Sequence, residues 1–388
     1  MRVLYLASAP RAHLTGAASQ TLILAAAALK QGWHAAIAGP GGSALERAAA
    51  GAGIPFRAVT FGPWPWHVRE LRQVVRSETP DVIHAMSTVP LVLAAPGLLA
   101  GRPRQRRPAM FVSIVVEPGS PLVYADARRR PVTTALRNRL LRRVAPVLDG
   151  VFPVSHAVCD ALEGMGVRGH LVVLPTPFDV DSWRARARVP IDLPPGRPRI
   201  GTAVGQLQRL KGVDHLLRAF ASVASRHPDA ICLVAGDGGE RENLERLAAE
   251  LGIADRVHFL GYVEEPAPLI AALDVYVGPS LSEGLGTATT EALALAVPVV
   301  ATAVGGTMEQ VVDGVTGLLV PPADDDALAE GIERLLSDRQ AASALGLAGQ
   351  REVIEQYGTD RVLQTTWAEY RRALGVEADP LPECAETP

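Results

Sequence analysis

The sequence is poor in cysteine, long apolar runs and net charge, and each shortage excludes a class of protein. Only three cysteines occur among 388 residues, at Cys159, Cys232 and Cys384. Their odd number and wide spacing exclude a disulfide framework and a thiolate metal cluster, and they indicate a reducing compartment. No apolar stretch reaches the ~20 residues that span a bilayer. The formal net charge of -3 gives no overall signal for nucleic acid. We therefore expect a cytoplasmic protein with no nucleic-acid partner.

Strand-like apolar runs alternate with helical stretches along the whole chain. This pattern favours parallel sheets covered by helices on both faces. The N-terminus, MRVLYLASAP, is typical of a first β-strand rather than of a signal peptide. The predicted strands are 2–8, 34–39, 81–86, 110–116, 150–155 and 170–175, followed by 200–207, 230–236, 256–261, 274–280, 297–302 and 316–321. We predict an α/β fold with two doubly wound parallel-sheet domains that face each other across a cleft, where ligands bind at the carboxyl ends of the strands.

The domain boundaries follow from composition. The stretch 183–199 is rich in proline and arginine and has little periodicity, so we interpret it as a linker. The first domain then covers 1–182 and the second 200–358. The segment 359–375 has the pattern of an amphipathic helix, and 376–388 is predicted to be a disordered tail.

The most informative segment is SEGLGTATTEALALAVPVVAT, in which Glu283 and Glu291 stand eight positions apart. It has the pattern of a strand end, a glycine-rich turn and a helix start, where unpaired amides suit an anionic phosphate. One glutamate lies in the turn and the other about one helical turn later, so both can face one ligand. An ordinary strand-to-helix turn with two solvated carboxylates explains the same spacing, since short motifs often match by chance.

Three segments, in order, resemble the retaining GT-B glycosyltransferases of family four (glycosyl transferases group 1). They are GQLQRLKGVDHLLRAF (205–220), LVAGDGGERENLERLAAELGIADRVHFLGYV (233–263) and SEGLGTATTEALALAVPVVATAVGGTMEQVVDGVTGLLVPP (282–322). The resemblance implies two Rossmann-like domains, with helix 359–375 completing the first. It also implies transfer of a hexose-type sugar, with retention, from a UDP- or GDP-linked donor to a glycan, lipid-linked or small-molecule acceptor, in bacterial polysaccharide or glycolipid biosynthesis.

The resemblance also assigns the donor phosphates. Lys211 brings a compact positive charge to the diphosphate, and a solvated surface lysine is the alternative. Gly205 lets the backbone approach the phosphates. The family usually has arginine where this chain has Gln206, and we expect Arg209 to supply the missing charge. The amides of Leu285, Gly286 and Thr287 are expected to cap the diphosphate.

The sugar, ribose and base are assigned in the same way. Glu283 is expected nearest the transferred sugar, and a helix-start carboxylate is its alternative role. Glu291 is expected to accept hydrogen bonds from the ribose hydroxyls. The base is expected against Gly261, Tyr262 and Val263, partly through backbone groups, so the segment does not distinguish uracil from guanine.

The first half is expected to bind the acceptor. Gly16, in LTGAASQTLILAAAALK (14–30), is placed at the cleft floor by the resemblance. His84 matches the family's histidine in PDVIHAMST (80–88), although a histidine in a strand is as often a packed structural residue. The family also tends to place a histidine at the end of the next strand, where this chain has Val115, and Glu117 is the nearest polar group that can take its place.

The stretch from Arg102 to Arg143 is strongly basic, with eleven arginines against Glu117 and Asp126. It is a candidate face for anionic lipid, which would place the protein peripherally on the inner face of a membrane; a solvated basic surface is the alternative. No metal or other cofactor is expected, because no Asp-x-Asp cluster stands in a plausible metal setting; Lys211 and helix amides would neutralise the diphosphate instead. The acidic run Asp324–Asp326 is interpreted as a helix start.

Two other functions fit parts of the pattern. A nucleotide-sugar epimerase on the same fold would convert the donor without any acceptor. A non-catalytic sugar-nucleotide or glycan-binding protein would bind without turnover, and the departures at Gln206 and Val115 leave room for it.

Overall fold

A computed structural model describes residues 1–7, 16–60, 66–86, 107–115 and 131–376. Within these ranges the first half forms a six-stranded parallel sheet with the strand order β3-β2-β1-β4-β5-β6. Its strands are β1 (Arg2–Leu6), β2 (His34–Gly39), β3 (Phe56–Ala58), β4 (Val82–Ala85), β5 (Ala109–Ile114) and β6 (Gly150–Pro153). Helices α1 (Gly16–Lys30), α2 (Ala44–Gly51), α3 (Trp66–Glu78), α4 (Pro131–Val144), α5 (His156–Gly164) and α6 (Val180–Ala187) belong to the same half of the sequence.

The second half forms another six-stranded parallel sheet, ordered β12-β11-β10-β7-β8-β9. Its strands are β7 (Arg199–Gln206), β8 (Ile231–Asp237), β9 (Val257–Gly261), β10 (Val275–Gly278), β11 (Val299–Thr302) and β12 (Leu318–Val320). The helices are α7 (Val213–Arg226), α8 (Arg241–Glu250), α9 (Ala267–Ala271), α10 (Thr287–Ala294), α11 (Thr307–Gln310), α12 (Asp325–Ser337), α13 (Arg339–Tyr357) and α14 (Thr359–Leu374). The predicted fold class is confirmed.

Each sheet is buried on both faces, as the apolar strands require. Strand β11 reads VVAT and all four of its residues are buried. Helix α7 covers one face of the second sheet with a stripe that includes Leu216, Phe220 and Val223. Helix α14 returns to the first sheet, where Val362, Trp367 and Tyr370 join its core. None of the described helices is long and apolar enough to cross a membrane.

Side-chain caps set where several helices begin. Ser43 and Ser155 each accept a hydrogen bond from the backbone N–H three residues later, at the starts of α2 and α5. Asp324 accepts the N–H of Ala327 at 2.9 Å and begins α12. The acidic run Asp324–Asp326 is therefore a helix start, stabilised by the positive end of the helix dipole.

The structure differs from the sequence predictions at three places. The run 170–175 contributes a single bridge, between Leu171 and Val151, rather than a strand. The three-residue strand β3 was not predicted, because it is too short to show alternation. The segment 183–199 starts inside helix α6, whose first turn is capped by Asp179 through the N–H of Ser182. Pro190 stands three residues after this helix ends, consistent with the inability of proline to continue a helix.

Candidate functional site

The strand order of the second sheet places a crevice between β7 and β10. From β7, the sheet continues through β8 on one side and through β10 on the other. In open α/β sheets, ligands bind outside the carboxyl ends of the strands at such a switch point. The loop after β7 carries Lys211, and the loop after β10 carries Glu283.

The two loops are tied together by their backbones. The N–H of Leu281 donates to the carbonyl of Leu210 at 2.7 Å. Gly212, with a φ of 61°, lies so close to the carbonyl of Pro279 that an added Cβ would collide with it. Glycine is thus required here both for its backbone conformation and for space. This close approach brings the residue before it, Lys211, to the loop after β10.

Lys211 and Glu283 form an ion pair at this crevice. Lys211 Nζ lies 2.5 Å from Glu283 Oε1, and Ser280 Oγ donates to the same oxygen at 3.0 Å. Ser280 is itself held through its carbonyl, which accepts a hydrogen bond from Thr302 Oγ1 at 2.5 Å. The side chains of Lys211 and Glu283 are 23% and 16% exposed, so both remain accessible to a ligand.

The Glu283 loop is also fixed from β11. Gly306 N–H donates to the carbonyl of Glu283 at 3.2 Å. An added Cβ at Gly305 would collide with the carbonyl of Glu283, and one at Gly306 would collide with the carbonyl of Gly284. These two glycines were not singled out from the sequence, although a pair of glycines shortly after a strand, here three and four residues after β11 ends, is a signal of close backbone approach.

Helix α10 begins beside the Lys211–Glu283 ion pair. Its first residue, Thr287, is exposed, and no side chain caps the helix. Gly16, the first residue of α1, lies so near that its added Cβ would be 3.3 Å from Thr287 Oγ1. Two helix N-termini therefore converge at one point, and N-termini attract anions.

One of the three predicted diphosphate amides is engaged within the protein. Gly286 N–H donates to Oε1 of the fully buried Gln310 at 3.0 Å, and Gln310 Nε2 donates back to the Gly286 carbonyl at 2.9 Å. The expectation that the Gly286 amide binds phosphate does not fit this arrangement. Leu285 and Thr287 stay predicted phosphate contacts. Nothing in the sequence indicated Gln310, which lies 24 residues further along the chain.

Glu291 lies on α10, partly buried. Desolvation raises the pKa of its carboxyl to about 8, and the positive charge of Arg186 opposes this rise. Tyr276, fully buried on β10, lies near both Glu291 and Glu283, and burial raises the pKa of its hydroxyl. The two glutamates of the motif thus have different surroundings: Glu283 is paired with a cation, and Glu291 is desolvated.

Three further predicted donor residues lie at the carboxyl end of β7 and in the turn that follows it. Gly205 has a φ of 65°, which favours glycine, and it is exposed at the end of the strand. Gln206 is exposed and accepts a hydrogen bond from Gln208 Nε2 at 2.9 Å. Arg209 is exposed on the short turn Arg209–Lys211. These residues lie at the same edge of the sheet as Lys211.

The predicted base-binding residues follow β9. Gly261 ends the strand with a φ of 70°, Tyr262 is 36% exposed, and Val263 packs against the apolar cluster that includes Ala292 and Leu293 of α10. Desolvation and the charges of Glu264 and Glu265 raise the pKa of the Tyr262 hydroxyl. The residues that follow β7, β9 and β10 therefore all lie on the carboxyl-end side of the sheet.

His84 lies in the core of the first sheet and has no exposed surface. One ring nitrogen lies 2.6 Å from Tyr370 Oη and the other 2.8 Å from Ser113 Oγ. Burial lowers the pKa of the imidazole to about 3, so the ring is neutral at physiological pH. The predicted cleft role of His84 does not fit this position, and the alternative of a packed structural histidine does.

The remaining predictions fall partly or wholly outside the described residues. Glu117 lies outside them, as does much of the basic stretch from Arg102 to Arg143. At the described end of that stretch, Arg139, Arg142 and Arg143 on α4 are exposed. In the described ranges no group of three or more His, Cys, Asp or Glu residues is arranged to hold a metal ion.

Family models match both halves of the chain. The model described as Glycosyltransferase Family 4 matches residues 14–182, and that described as Glycosyl transferases group 1 matches residues 188–352. A 2-deoxystreptamine glucosyltransferase from Streptomyces kanamyceticus is 31% identical over 66% of this chain and 68% of its own length. A GDP-mannose-dependent alpha-(1-6)-phosphatidylinositol monomannoside mannosyltransferase from Mycolicibacterium smegmatis is 34% identical over 56% of this chain and 60% of its own length.

Solved structures share the fold over almost the whole chain. Anabaena HepE in complex with UDP-glucose is 22% identical, with a TM-score of 0.79 over 95% of this chain and 98% of that one. Sucrose-phosphate synthase from Thermosynechococcus elongatus is also 22% identical, with a TM-score of 0.79 over 97% of this chain and 100% of that one. At this identity the likeness is one of fold, and the fold is GT-B.

Proposed function

Because the chain belongs to the group 1 glycosyltransferases, we propose that it moves a hexose-type sugar from a UDP- or GDP-linked donor to an acceptor, with retention of configuration at the anomeric carbon. The observation that carries this proposal is the Lys211–Glu283 ion pair at the β7–β10 switch point. The N-terminus of α10 and the carboxyl of Glu291 lie on the same loop-and-helix unit as Glu283.

The donor diphosphate binds between Lys211 and the N-terminus of α10. Lys211 exchanges its bond to Glu283 for a phosphate oxygen, and its charge stabilises the diphosphate as it leaves. Glu291 accepts hydrogen bonds from the ribose hydroxyls, and the base lies against Gly261, Tyr262 and Val263. The converging N-termini of α1 and α10 add positive potential without a metal ion.

Released from Lys211, Glu283 faces the sugar and stabilises the positive charge that develops at its anomeric carbon. The bond between this carbon and the β-phosphate oxygen breaks, and the acceptor oxygen forms a bond on the same face. The leaving phosphate takes the acceptor proton, so bonds and charges balance. This front-face route needs no covalent glycosyl-enzyme, which requires a nucleophile on the opposite face of the ring.

The class of acceptor is inferred from the names of two relatives and from the surface charge of α4. The names of the two relatives pair hexosyl transfer with a polar aminocyclitol in one case and a lipid-anchored mannoside in the other. A glycan or lipid-linked acceptor agrees with the exposed arginines at the end of α4, namely Arg139, Arg142 and Arg143. Flotation with vesicles that contain or lack anionic lipid tests the membrane contact, and equal binding at low and high salt contradicts it.

The first experiment is a thermal-shift screen against UDP, GDP, ADP and their common sugars. At 100 times its Kd a ligand adds about 2.7 kcal/mol of stability, which appears as a shift of some degrees. We expect one nucleotide to stabilise the protein and both Lys211→Ala and Glu291→Ala to abolish the shift. Lys30→Ala is the matched control, because Lys30 is the other lysine of the chain and is exposed at the end of α1.

Turnover separates this proposal from its alternatives. Incubation with the donor that binds and a panel of acceptors should give a glycoside whose anomeric configuration, read by NMR, matches that of the donor. A new nucleotide sugar formed without acceptor would indicate an epimerase, and tight binding without any product would indicate a binding protein. An inverted product would overturn retention while leaving the transferase class in place.

A further inference from the structure

Helix α6 places one arginine next to the candidate donor site. The helix packs on α9 and α10. Its Trp183 packs against the apolar cluster that also receives Val263 of the base-side loop and Ala288 of α10. A segment of the inter-domain region is thus part of the support under the nucleotide-binding residues.

Arg186 is the charged residue that α6 directs to this place. Its guanidinium carbon lies 4.6 Å from the centre of the Trp183 ring, and its Nη1 lies 3.3 Å from Glu265 Oε2 in the loop after β9. Its Nε is buried and has no hydrogen-bond partner among the described residues. The arginine is therefore held by an aromatic face and one carboxylate, while part of its donor capacity is unused.

The same guanidinium acts on Glu291. Burial disfavours the charged form of that carboxyl, and Arg186 is the group whose charge favours it. Arg186 therefore contacts the base-side loop through Glu265 and influences the predicted ribose ligand through its charge. In the function proposed above, the base-side loop binds the base of the nucleoside and Glu291 binds its ribose.

We propose that Arg186 is a positioning residue of the donor site, which joins the base-side loop to the helix that carries Glu291. The inference rests on the proposed function, because it assumes that Glu291 receives the ribose. It adds a residue from the inter-domain helix to a site otherwise built from the second sheet.

Besides α6, the elements that pack on α10 are β7, β10, β11, α9, α11 and α13, and β7 carries one charged residue, Arg199, at its first position. Strand β10 contributes Tyr276, which lies near Glu291 and Glu283 alike, and Glu283 is paired with Lys211. Helix α13 contributes Gln350, bonded to the carbonyl of Ala294, and α11 contributes Gln310. Helix α9 has the sequence APLIA, and β11 has the sequence VVAT, so neither carries an ionisable side chain.

The test measures the Kd of UDP-glucose and GDP-mannose between pH 6 and 9, since these diphosphodiesters carry no phosphate that titrates in this range. In the wild type, affinity should rise with pH as the Glu291 carboxyl ionises. Arg186→Ala should raise the Kd about tenfold at pH 7.5, by analogy with the loss of one charge-assisted contact. It should also move the midpoint of the pH dependence upward. Arg186→Lys, which keeps the charge, should return the midpoint most of the way to its wild-type value.

Two controls isolate the effect. Arg184→Ala removes an exposed arginine from the same helix and should leave both Kd and midpoint unchanged. In a Glu291→Gln background the pH dependence should vanish, and Arg186→Ala should then change the Kd by less than about twofold, because the two residues act as a coupled pair.

The outcomes are distinct. An Arg186→Ala protein that melts earlier but keeps the wild-type Kd and midpoint would show a merely structural arginine and overturn the inference. Should that variant not fold, Arg186→Gln takes its place with the same criteria. If wild-type protein binds neither nucleotide sugar nor any other nucleotide, the proposed function and this inference fail together; if it binds one, only the inference is at stake.

Discussion

The two sheets share one strand order but use polar residues differently. Starting from β1 and from β7, each sheet continues through the next two strands on one side and through the following three on the other. In the first sheet the polar residue His84 lies within strand β4, where helices cover both faces, and it is buried. In the second sheet Glu283 lies five residues after the corresponding strand, β10, and it remains accessible. Position relative to the strand end thus separates a structural polar group from a candidate catalytic one.

The largest effect is expected where this comparison places the chemistry. Lys211→Ala should lower kcat/KM roughly 100- to 1,000-fold, the range for loss of one group that stabilises developing negative charge. The melting temperature should change little, because the side chain is partly exposed and paired with a single carboxylate. Steady-state kinetics with Lys30→Ala beside it gives the measurement. Equal activity in both variants would place the charge neutralisation elsewhere.

Substitution of His84 should have the opposite effect to substitution of Lys211, lowering stability rather than activity. His84→Ala removes a fully buried ring and takes one hydrogen-bond partner from each of the hydroxyls of Tyr370 and Ser113. We expect a loss of about 2–4 kcal/mol in the free energy of unfolding, with nucleotide Kd unchanged. Tyr370→Phe, which deletes one hydroxyl and no ring, should cost about 1–2 kcal/mol. Denaturant unfolding measures both, and a weakened Kd in a stable His84 variant would restore a role in the cleft.

The sequence predicts most of the strands and the second-sheet loops of this protein, but not the hydrogen-bond partners of His84 and Gly286. The fold class and most strands followed from apolar periodicity, and the second-sheet loops followed from a glycine-rich motif with fixed spacing. The burial of His84 depends on Tyr370, 286 residues further along the chain. The capture of the Gly286 amide depends on Gln310, 24 residues further along. Such long-range partners leave no local periodicity, so sequence patterns indicated the strand or turn but not the contact.

The pH dependence of stability should separate His84 from Glu291 as well. The pKa of His84 falls from 6.5 to about 3 in the folded state, so its contribution rises with pH between these values. The pKa of Glu291 rises from 4.5 to about 8, so its contribution falls with pH across that window. Each slope reaches at most about 1.4 kcal/mol per pH unit. Between pH 4.5 and 6.5 the two oppose each other.

Single variants isolate the pH dependence that each residue contributes to the free energy of unfolding. Unfolding free energies across this window should rise with pH in Glu291→Gln and fall with pH in His84→Gln, relative to the wild type. Parallel curves for all three proteins would contradict the opposite pKa shifts of His84 and Glu291.

A smaller effect is expected at the phosphate end of the second-sheet site. Because the resemblance to the family implies an arginine where this chain has Gln206, we expect the exposed Arg209 to supply the second positive charge. Arg209→Ala should raise the Kd for a nucleoside diphosphate about tenfold, as loss of one charge-assisted contact does. Gln206→Arg in that background should recover most of the affinity. Calorimetry that finds no loss in Arg209→Ala would show that Lys211 and the helix amides suffice.

The smallest effect concerns one of the hydrogen bonds that join the two halves, between Ser155 and Gly284. Ser155 Oγ accepts the N–H of Val158 and donates to the carbonyl of Gly284 at 2.7 Å, next to Glu283. Ser43 Oγ makes the same kind of cap at the start of α2 and is equally buried, but its cap lies within one half. Both Ser→Ala variants should lose about 1 kcal/mol from the cap. Only Ser155→Ala should also weaken nucleotide binding, by a few-fold, because it frees the carbonyl that helps to hold the Glu283 loop. Equal Kd values in the two variants would mean that the Ser155–Gly284 bond does not help to position Glu283.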